Sequence, residues 1–350
     1  MDRLLREVKK GICCCYGENL VALEKQLDQG AAVRLLEYAI QVDNCCVFNL
    51  LLKKSTRFDN NGAFRRAAEC GSVNIIERIC DDESYELDKS ILIELCMYGY
   101  ADIAKRLLDD PRVDIEYRLD DTHTLYRYGH CEAQSDLLAA AAKKGCVELV
   151  ETLLRKVDPA SANNLAIQCA ASGGSAEVMR LLLADPRVDP TVDDNASFID
   201  AVDSGSLELV RLMLAEPRIR PDGYGNVAFG NAVYNGDDEM VALLLEDPRI
   251  TPSEFELAST VDMIKVLLGN PRVPITNAWS EILTRECMSS EGLGMVEELL
   301  KDPRIDPGAC DNSAIIGACF KCNLEIVKVL LDDPRVNPGA QRNRAIRTAV

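Results

Sequence analysis

The chain has 350 residues, of which 47% are hydrophobic, 27% are charged and 5% are aromatic, a composition typical of a folded protein. Lysine and arginine total 39 against 57 aspartates and glutamates, so the net charge is −18. Nucleic acid and anionic membrane surfaces are not expected as partners, because binding to phosphates needs a basic surface.

Residues 1–7, Met-Asp-Arg-Leu-Leu-Arg-Glu, lack the apolar core of a signal peptide. No stretch of the sequence approaches 18 consecutive apolar residues, so no membrane span is expected. Fifteen cysteines without a secretion signal indicate a reducing compartment, where cysteines pack as small hydrophobic residues. These features predict a cytoplasmic protein.

One short motif recurs along the chain: an acidic or amide residue, then proline, arginine and an aliphatic residue. It begins at Asp110, Asp185, Glu216, Asp247, Asn270, Asp302 and Asp333. The step is 31 residues from Pro186 to Pro217 and again to Pro248, but it falls to 23 from Pro248 to Pro271. A period of this length predicts an array of structural repeats.

Each period has the same internal pattern. It opens with an asparagine at 61, 164, 195, 226, 312 and 343, and a glycine follows ten residues later at 71, 174, 205 and 236. Asparagine is a good helix N-cap, and glycine ends a helix readily. A second apolar run at helical spacing then stops before the proline, which cannot continue a helix. Each period therefore predicts helix, tight turn, helix and loop.

In chain order, irregular units lie near 2–28, 31–54, 61–80 and 88–110, and a long insertion follows at 115–134. Regular units run near 135–156, 163–184, 195–215, 226–246, 253–269, 280–301 and 312–332. We interpret residues 1–60 as degenerate repeats or a cap. Residues 61–350 form the array, which ends in a half repeat at 343–350. In the shortened unit, Ser253 and Glu256 suggest a capping box that starts the first helix at once.

The pattern resembles ankyrin repeats, most clearly at 207–210 (Leu-Glu-Leu-Val) and 324–327 (Leu-Glu-Ile-Val). The resemblance covers most of 61–350 and, more weakly, 1–60. It implies an all-α, helix-turn-helix solenoid of about eleven repeats. The usual Thr-Pro-Leu-His opening is replaced by Asn-x-Ala, and Gly-Ala-Asp is replaced by Asp-Pro-Arg. This variant is similar to ankyrin arrays in large DNA viruses of amoebae and in some protists.

Ankyrin arrays bind proteins through loop tips and the concave face of their first helices, so the resemblance implies candidate contact positions. On the concave face these are Tyr98, Lys143, Lys144, Asp203, Tyr234, Phe320 and Lys321, and at the loop tips Asp193, Asp194 and Tyr224. Tyr234 and Phe320 are the more telling, since aromatic residues anchor interfaces. Alternatively, Phe320 packs against the neighbouring first helix.

Two groups of residues suggest chemistry beyond protein binding. The insertion holds His123 and His130 together with Tyr126 and Tyr128, and it could bind zinc or, through its tyrosines, a partner. No spacing typical of a zinc site joins the histidines, so we expect partner contacts. Cys319 and Cys322 form a C-x-x-C pair, but Cys322 simply occupies the glycine position of the repeat.

The seven arginines of the recurring motif have two interpretations. They form a basic ladder for an acidic ligand, or they pair locally with the aspartates at helix C-termini. The second interpretation is favoured. The sequence contains no phosphate-binding loop and no general base beyond scattered carboxylates, so we expect neither catalysis nor a metal or cofactor.

The sequence therefore predicts a non-catalytic scaffold or adaptor for protein–protein interaction, acting as a monomer on a protein partner. The alternative is a structural component of a larger assembly such as a virus particle. The helix at 343–350 is expected to serve as a polar cap rather than as an interface covered by another chain.

Overall fold

The computed structural model describes residues 29–52, 60–82, 87, 89–113, 137–253 and 255–348. All regular secondary structure in these ranges is helical, which confirms the all-α class. The chain divides into two compact units, Met1–Asp189 and Pro190–Val350. Residues 1–28 and the insertion predicted at 115–134 lie outside the described residues.

The first unit contains pairs of helices joined by short turns. Its described helices are α1 Gln29–Gln41, α2 Cys45–Leu52, α3 Asn60–Cys70, α4 Val73–Asp81, α5 Lys89–Met97, α6 Ala101–Leu107, α7 Leu137–Lys143, α8 Val147–Leu154, α9 Ser161–Ser172 and α10 Ala176–Ala184. The first helix of each pair packs on the next first helix, as α5 on α7 and α7 on α9, and second helices pack on second helices, as α8 on α10.

The second unit repeats this arrangement. Its helices are α11 Val192–Asp203, α12 Leu207–Leu214, α13 Gly223–Asn235, α14 Asp238–Glu246, a 3-10 turn Phe255–Leu257, α15 Val261–Gly269, α16 Asn277–Cys287, α17 Leu293–Lys301, α18 Ala309–Phe320, α19 Leu324–Asp332 and α20 Ala340–Thr348. The 3-10 turn packs between α13 and α16, in the layer of first helices. Each unit is thus a two-layered helical-repeat solenoid, as predicted.

Helix α12 shows why the second helices form where the sequence predicts them. Leu209, Val210 and Met213 recur at helical spacing and are buried against the first helices. The Ser206 hydroxyl caps the helix start by accepting a hydrogen bond from the Leu209 amide, at 3.4 Å. The helix ends at Leu214, before Pro217, which could not continue it.

The start of the first helices differs from the sequence prediction. In α9 the residues Ala162, Asn163 and Asn164 all have positive φ, between 49° and 57°. The same left-handed turn of three residues occurs at 193–195, 310–312 and 341–343. The repeated asparagine is therefore the last residue of a left-handed turn and not an N-cap. The N-cap prediction is wrong at these positions, because side chains that favour caps also tolerate the left-handed region.

The asparagine side chain links each repeat to the following loop. Asn164 Oδ1 accepts a hydrogen bond from the backbone amide of Asp189 at 2.8 Å. Asn312 accepts one from the Asn337 amide at 2.7 Å, again 25 residues downstream. Both asparagine side chains are buried, so each hydrogen bond satisfies a group that water cannot reach.

The motif arginines link each repeat to the preceding one. Arg335 Nη2 donates to Asp333 Oδ2 at 2.6 Å and to the Leu300 carbonyl at 3.0 Å, and its Nη1 donates to the Ile305 carbonyl at 2.7 Å. Arg187 pairs in the same way with Asp185 and the Leu154 carbonyl. The prediction that these arginines pair at helix C-termini is confirmed.

These ion pairs predict a loss of stability in acid. The hydrogen bonds from Arg187 lower the pKa of Asp185 to about 2, from 3.8. Because the pKa in the folded chain is below that in the unfolded chain, protonation favours unfolding. We expect the Arg187–Asp185 ion pair to contribute fully to the free energy of unfolding above about pH 5. This contribution is lost as the pH falls toward about 2. Thermal unfolding followed by circular dichroism between these values measures it.

The matched variant is Asp185→Asn, which cannot ionise. We expect the variant to be less stable than the parent at pH 7 and to lose less stability on acidification, with about one fewer proton taken up on unfolding. Parallel curves of melting temperature against pH for the two proteins would show that this pair contributes nothing.

The shortened repeat replaces its first helix by the single 3-10 turn Phe255–Leu257. The predicted capping box is wrong, since Ser253 Oγ is buried and has no hydrogen-bond partner among the described residues. Phe255 instead stacks on Trp279, with ring centroids 5.1 Å apart. Trp279 is completely buried, and its Nε1 donates to the Pro274 carbonyl at 3.0 Å. This aromatic pair fills the space that the missing turns leave.

The cysteines mostly follow the prediction of packing as small hydrophobic residues, and Cys80, Cys96, Cys169 and Cys287 are buried free thiols. Cys322 has φ of 58°, which confirms that it occupies the glycine position of its repeat. Cys46 is the exception, because it is disulfide-bonded.

Candidate protein-binding surface

Apolar side chains recur at one position of the repeat in the second unit. Tyr234, Leu257 and Phe320 each lie in the last two residues of a first helix or of its 3-10 substitute, three residues before the N-cap of the second helix. Met288 stands four residues before its N-cap, Gly292. Tyr234 is 72% exposed, Phe320 66%, and Leu257 and Met288 42% each. We call these four residues the apolar row.

Contacts between neighbouring repeats place these positions side by side. The Asn231 amide of α13 donates at 3.0 Å to Asp203, the residue of α11 that corresponds to Tyr234. A Cβ added to Gly317 in α18 would lie 2.9 Å from Met288 Cγ, so Met288 leans on the helix that ends in Phe320. The four residues therefore follow one another along the layer of first helices.

Phe320 projects from the end of α18 instead of packing against its neighbour. Its 66% exposure contradicts the interpretation that the neighbouring first helix covers it. Lys321 Nζ lies 6.0 Å from the ring centroid, at the outer limit of a cation–π contact. Leu324, at the start of α19, is 72% exposed and adds apolar surface four residues away. Phe320 is thus available as an anchor for a partner.

Acidic side chains run beside the apolar row. Each occupies the start of a second helix or the turn before it, and we call them the acidic row: Glu208, Glu239, Asp262, Glu291 and Glu325, all exposed. Carboxylates are favoured here because a helix N-terminus carries partial positive charge. Residues 200–300 hold 18 aspartates and glutamates against 7 lysines and arginines. Arg249 and Arg272 are among those seven, and both donate to backbone carbonyls of the preceding repeat.

The corresponding positions of the first unit are mostly polar. The residues three positions before an N-cap there are Glu69, Met97, Lys143 and Ser172, and of these only the half-buried Met97 is apolar. Lys143 is half-buried and Lys144 is exposed. Tyr98 is 42% exposed, and its hydroxyl donates to Glu69 Oε1 at 3.5 Å. Partial burial and the nearby Glu69 raise the pKa of the Tyr98 phenol, so it stays protonated.

Of the predicted loop-tip residues, Asp194 makes a contact within the fold. Asp193 and Asp194 are exposed and lie in the left-handed turn of α11. Asp194 forms an ion pair with Arg220 at 2.6 Å, which places its charge against another part of the same unit. Tyr224 falls in α13, but its side chain lies outside the described residues, as do Tyr126 and Tyr128 of the insertion.

Sequence reasoning missed Leu257 and Met288. It counted forward from the small residue of the first helix, and that count fails where a repeat has lost eight residues or gained one. Counting three residues backward from the N-cap of the second helix finds Leu257, whereas Met288 lies one residue further from its N-cap, Gly292. The N-caps Ser206, Asp237 and Thr260 can be predicted from the sequence, since serine, aspartate and threonine favour this position.

The described residues suggest little chemistry beyond binding. Across the described ranges, no group of three or more His, Cys, Asp or Glu could hold a metal ion. Burial raises the pKa of Cys96 and of Cys287 to about 12, so both thiols stay protonated and unreactive. No helix in the described part of the chain is long and apolar enough to cross a membrane.

Comparison with known proteins agrees with the architecture. A family model of ankyrin repeats, in three copies, matches residues 137–222. No curated protein matches the chain. The matched stretch contains α7 to α12, and within each unit the other described helix pairs pack in the same two layers. Residues 137–222 of this helical-repeat chain are therefore similar to ankyrin repeats.

Proposed function

We propose that the chain is a non-catalytic scaffold for protein–protein interaction and that its partner binds the apolar row. Ankyrin repeats generally mediate protein–protein interaction and are typically non-catalytic. One observation supports this particular surface: four successive repeats of the second unit expose an apolar side chain three or four residues before the N-cap of the second helix. Aromatic anchors with apolar neighbours are the composition of binding hot spots.

The solenoid suits this role because the row is held by packed first helices. Tyr234 lies in the last turn of α13 and Phe320 is the last residue of α18, so a helix holds the backbone of each. A preorganised surface loses little conformational entropy on binding, which leaves more of the contact energy for affinity.

Affinity purification of the full chain and of Tyr234→Ser/Phe320→Ser tests the proposal. Both side chains are exposed, so the double variant should fold normally, with a free energy of unfolding within about 1 kcal/mol of the parent. We expect a protein that is retained by the parent and lost from the double variant. The matched control is Leu331→Ser, which removes a half-exposed leucine of α19 outside the row and should retain the partner.

Retention of the partner by the double variant would contradict the assignment of the row. Recovery of the chain only within large particles, with no effect of the two changes, would favour the alternative role as a component of an assembly. We also infer a monomer, which light scattering on the purified chain tests directly.

The free cysteines support a reducing compartment such as the cytoplasm as the site of action. Exposed Cys310 and Cys322 remain thiols, and in a reducing compartment they would stay so. The disulfide at Cys46 is the exception to this pattern.

A further inference from the structure

We infer that the apolar row binds a basic peptide segment in an extended conformation, with an apolar residue at every third position. This inference rests on the proposed function and specifies the chemistry of the partner. It follows from the spacing of the row, from the acidic row beside it, and from the small number of cations near it.

The spacing of the repeats sets the spacing of the partner's anchors. Neighbouring packed helices lie about 8–10 Å apart, so successive members of the row are separated by a similar distance. A polyproline-II segment advances about 3.1 Å per residue and has three residues per turn. Every third side chain therefore returns to the same side after about 9 Å. A segment of about ten residues in this conformation places four side chains on the four members of the row.

Other conformations fit less well. A β-strand turns every third side chain to the opposite face, because its side chains alternate with a period of two. An α-helix rises 1.5 Å per residue and would need about seven residues for each step and about 22 for the whole row. Ordering the longer segment costs more conformational entropy for the same four contacts.

The charge beside the row selects basic residues between the anchors. Two side chains of the polyproline-II peptide lie between successive anchors. One of these two side chains faces the acidic row. From Tyr234 to Met288 this row offers Glu239, Asp262 and Glu291. Lysine or arginine at that position of the peptide would gain favourable charge interactions and faster association.

The nearby cations cancel only part of this charge. Lys265 forms an ion pair with Asp262 at 2.8 Å and offsets that carboxylate. Arg285 donates to the Glu256 and Ala258 carbonyls and forms an ion pair with Glu286. Lys321 stands next to Phe320, so the basic residues of the peptide are expected opposite Tyr234, Leu257 and Met288 rather than at that end.

Fluorescence anisotropy with labelled synthetic peptides tests the inference on the full chain. The main peptide has about ten residues, with leucine at every third position and lysine after each of the first three leucines. Three comparisons are made: a peptide with the lysines changed to glutamate, one with the same composition in scrambled order, and a 22-residue helical peptide with leucine at every seventh position and a similar charge. The protein variants are Tyr234→Ser/Phe320→Ser and the control Leu331→Ser.

We expect the main peptide to bind at least about tenfold more tightly than its glutamate and scrambled versions. The double variant should lose at least about tenfold in affinity and Leu331→Ser almost none. Binding should weaken as salt is added, because exposed charges are screened. Equal or tighter binding of the helical peptide would overturn the extended conformation, and equal binding of the glutamate peptide would overturn the basic partner.

Running the partner capture beside the peptide panel separates this inference from the proposed function. If no extended peptide binds while a cellular partner still requires Tyr234 and Phe320, the inference fails and the proposed function stands. If neither the peptides nor any cellular protein depend on these two residues, the proposed function fails as well.

Discussion

Replacing Trp279 with alanine is expected to lower the free energy of unfolding of the second unit by about 3–5 kcal/mol. The indole is completely buried and stacks on Phe255, with ring centroids 5.1 Å apart. Its removal leaves a cavity under the 3-10 turn and leaves the Pro274 carbonyl without the indole donor. Urea denaturation followed by far-ultraviolet circular dichroism measures the change.

The control for this prediction is Trp279→Phe, which keeps an aromatic ring against Phe255. We expect it to lower the free energy of unfolding less than the alanine variant does. The remaining loss comes mainly from the missing hydrogen bond to the Pro274 carbonyl and from part of the packing. The alanine variant should also weaken binding at the apolar row, because Leu257 belongs to the turn that Phe255 anchors. A change in the free energy of unfolding below about 1 kcal/mol would mean that the shortened repeat is held by other contacts.

Replacing Asn312 with alanine is expected to lower the free energy of unfolding by about 2–4 kcal/mol, from two causes. The first is the loss of the bond from the Asn337 amide, at 2.7 Å, which leaves a partly buried donor unsatisfied and costs about 1–3 kcal/mol. The second is backbone strain. Asn312 has φ of 63°, and a left-handed conformation disfavours alanine by about 1–2 kcal/mol, more than it disfavours asparagine.

The variant Asn312→Gly separates these two causes, because glycine adopts positive φ freely but cannot accept the bond. We expect the order of stability to be parent, then glycine, then alanine, by chemical denaturation of the full chain. If the glycine variant is as stable as the parent, the bond between repeats contributes nothing and only the backbone conformation matters.

The fold was largely predictable because its strongest signals are local. Apolar spacing predicts the second helices, as in α12, and each proline marks where they must stop. The pairing of Arg187 with Asp185 was also predictable, since the two residues lie two positions apart at a helix end. The second helices, their ends and this ion pair depend only on residues close together in the chain, so the sequence of one repeat is enough to predict them.

Features that depend on two repeats at once were harder to predict. The residues around Asn164 predict an N-cap, yet its side chain accepts a hydrogen bond from the loop 25 residues downstream. The sequence around Leu257 predicts a helix. In the structure, Leu257 instead ends a 3-10 turn in the layer of first helices, and the packing of Phe255 on Trp279 holds this turn. Leu257 was therefore missed for the same reason that the shortened repeat was misread, and Met288 was missed because its repeat has gained a residue.

The hydrogen bonds that join successive repeats have a consequence for how such a gene can change length. The Asn164, Asn195 and Asn312 side chains each accept a hydrogen bond from an amide 25 residues downstream. Arg335 donates to the Ile305 and Leu300 carbonyls, 30 and 35 residues upstream. Duplication or loss of 31 codons preserves every donor and its acceptor, whereas a partial loss breaks some pairs. In the repeat that precedes the shortened one, this link is absent: Asn226 Oδ1 is buried without a hydrogen-bond partner among the described residues. Recombination in whole periods is therefore the tolerated route by which this array lengthens and shortens.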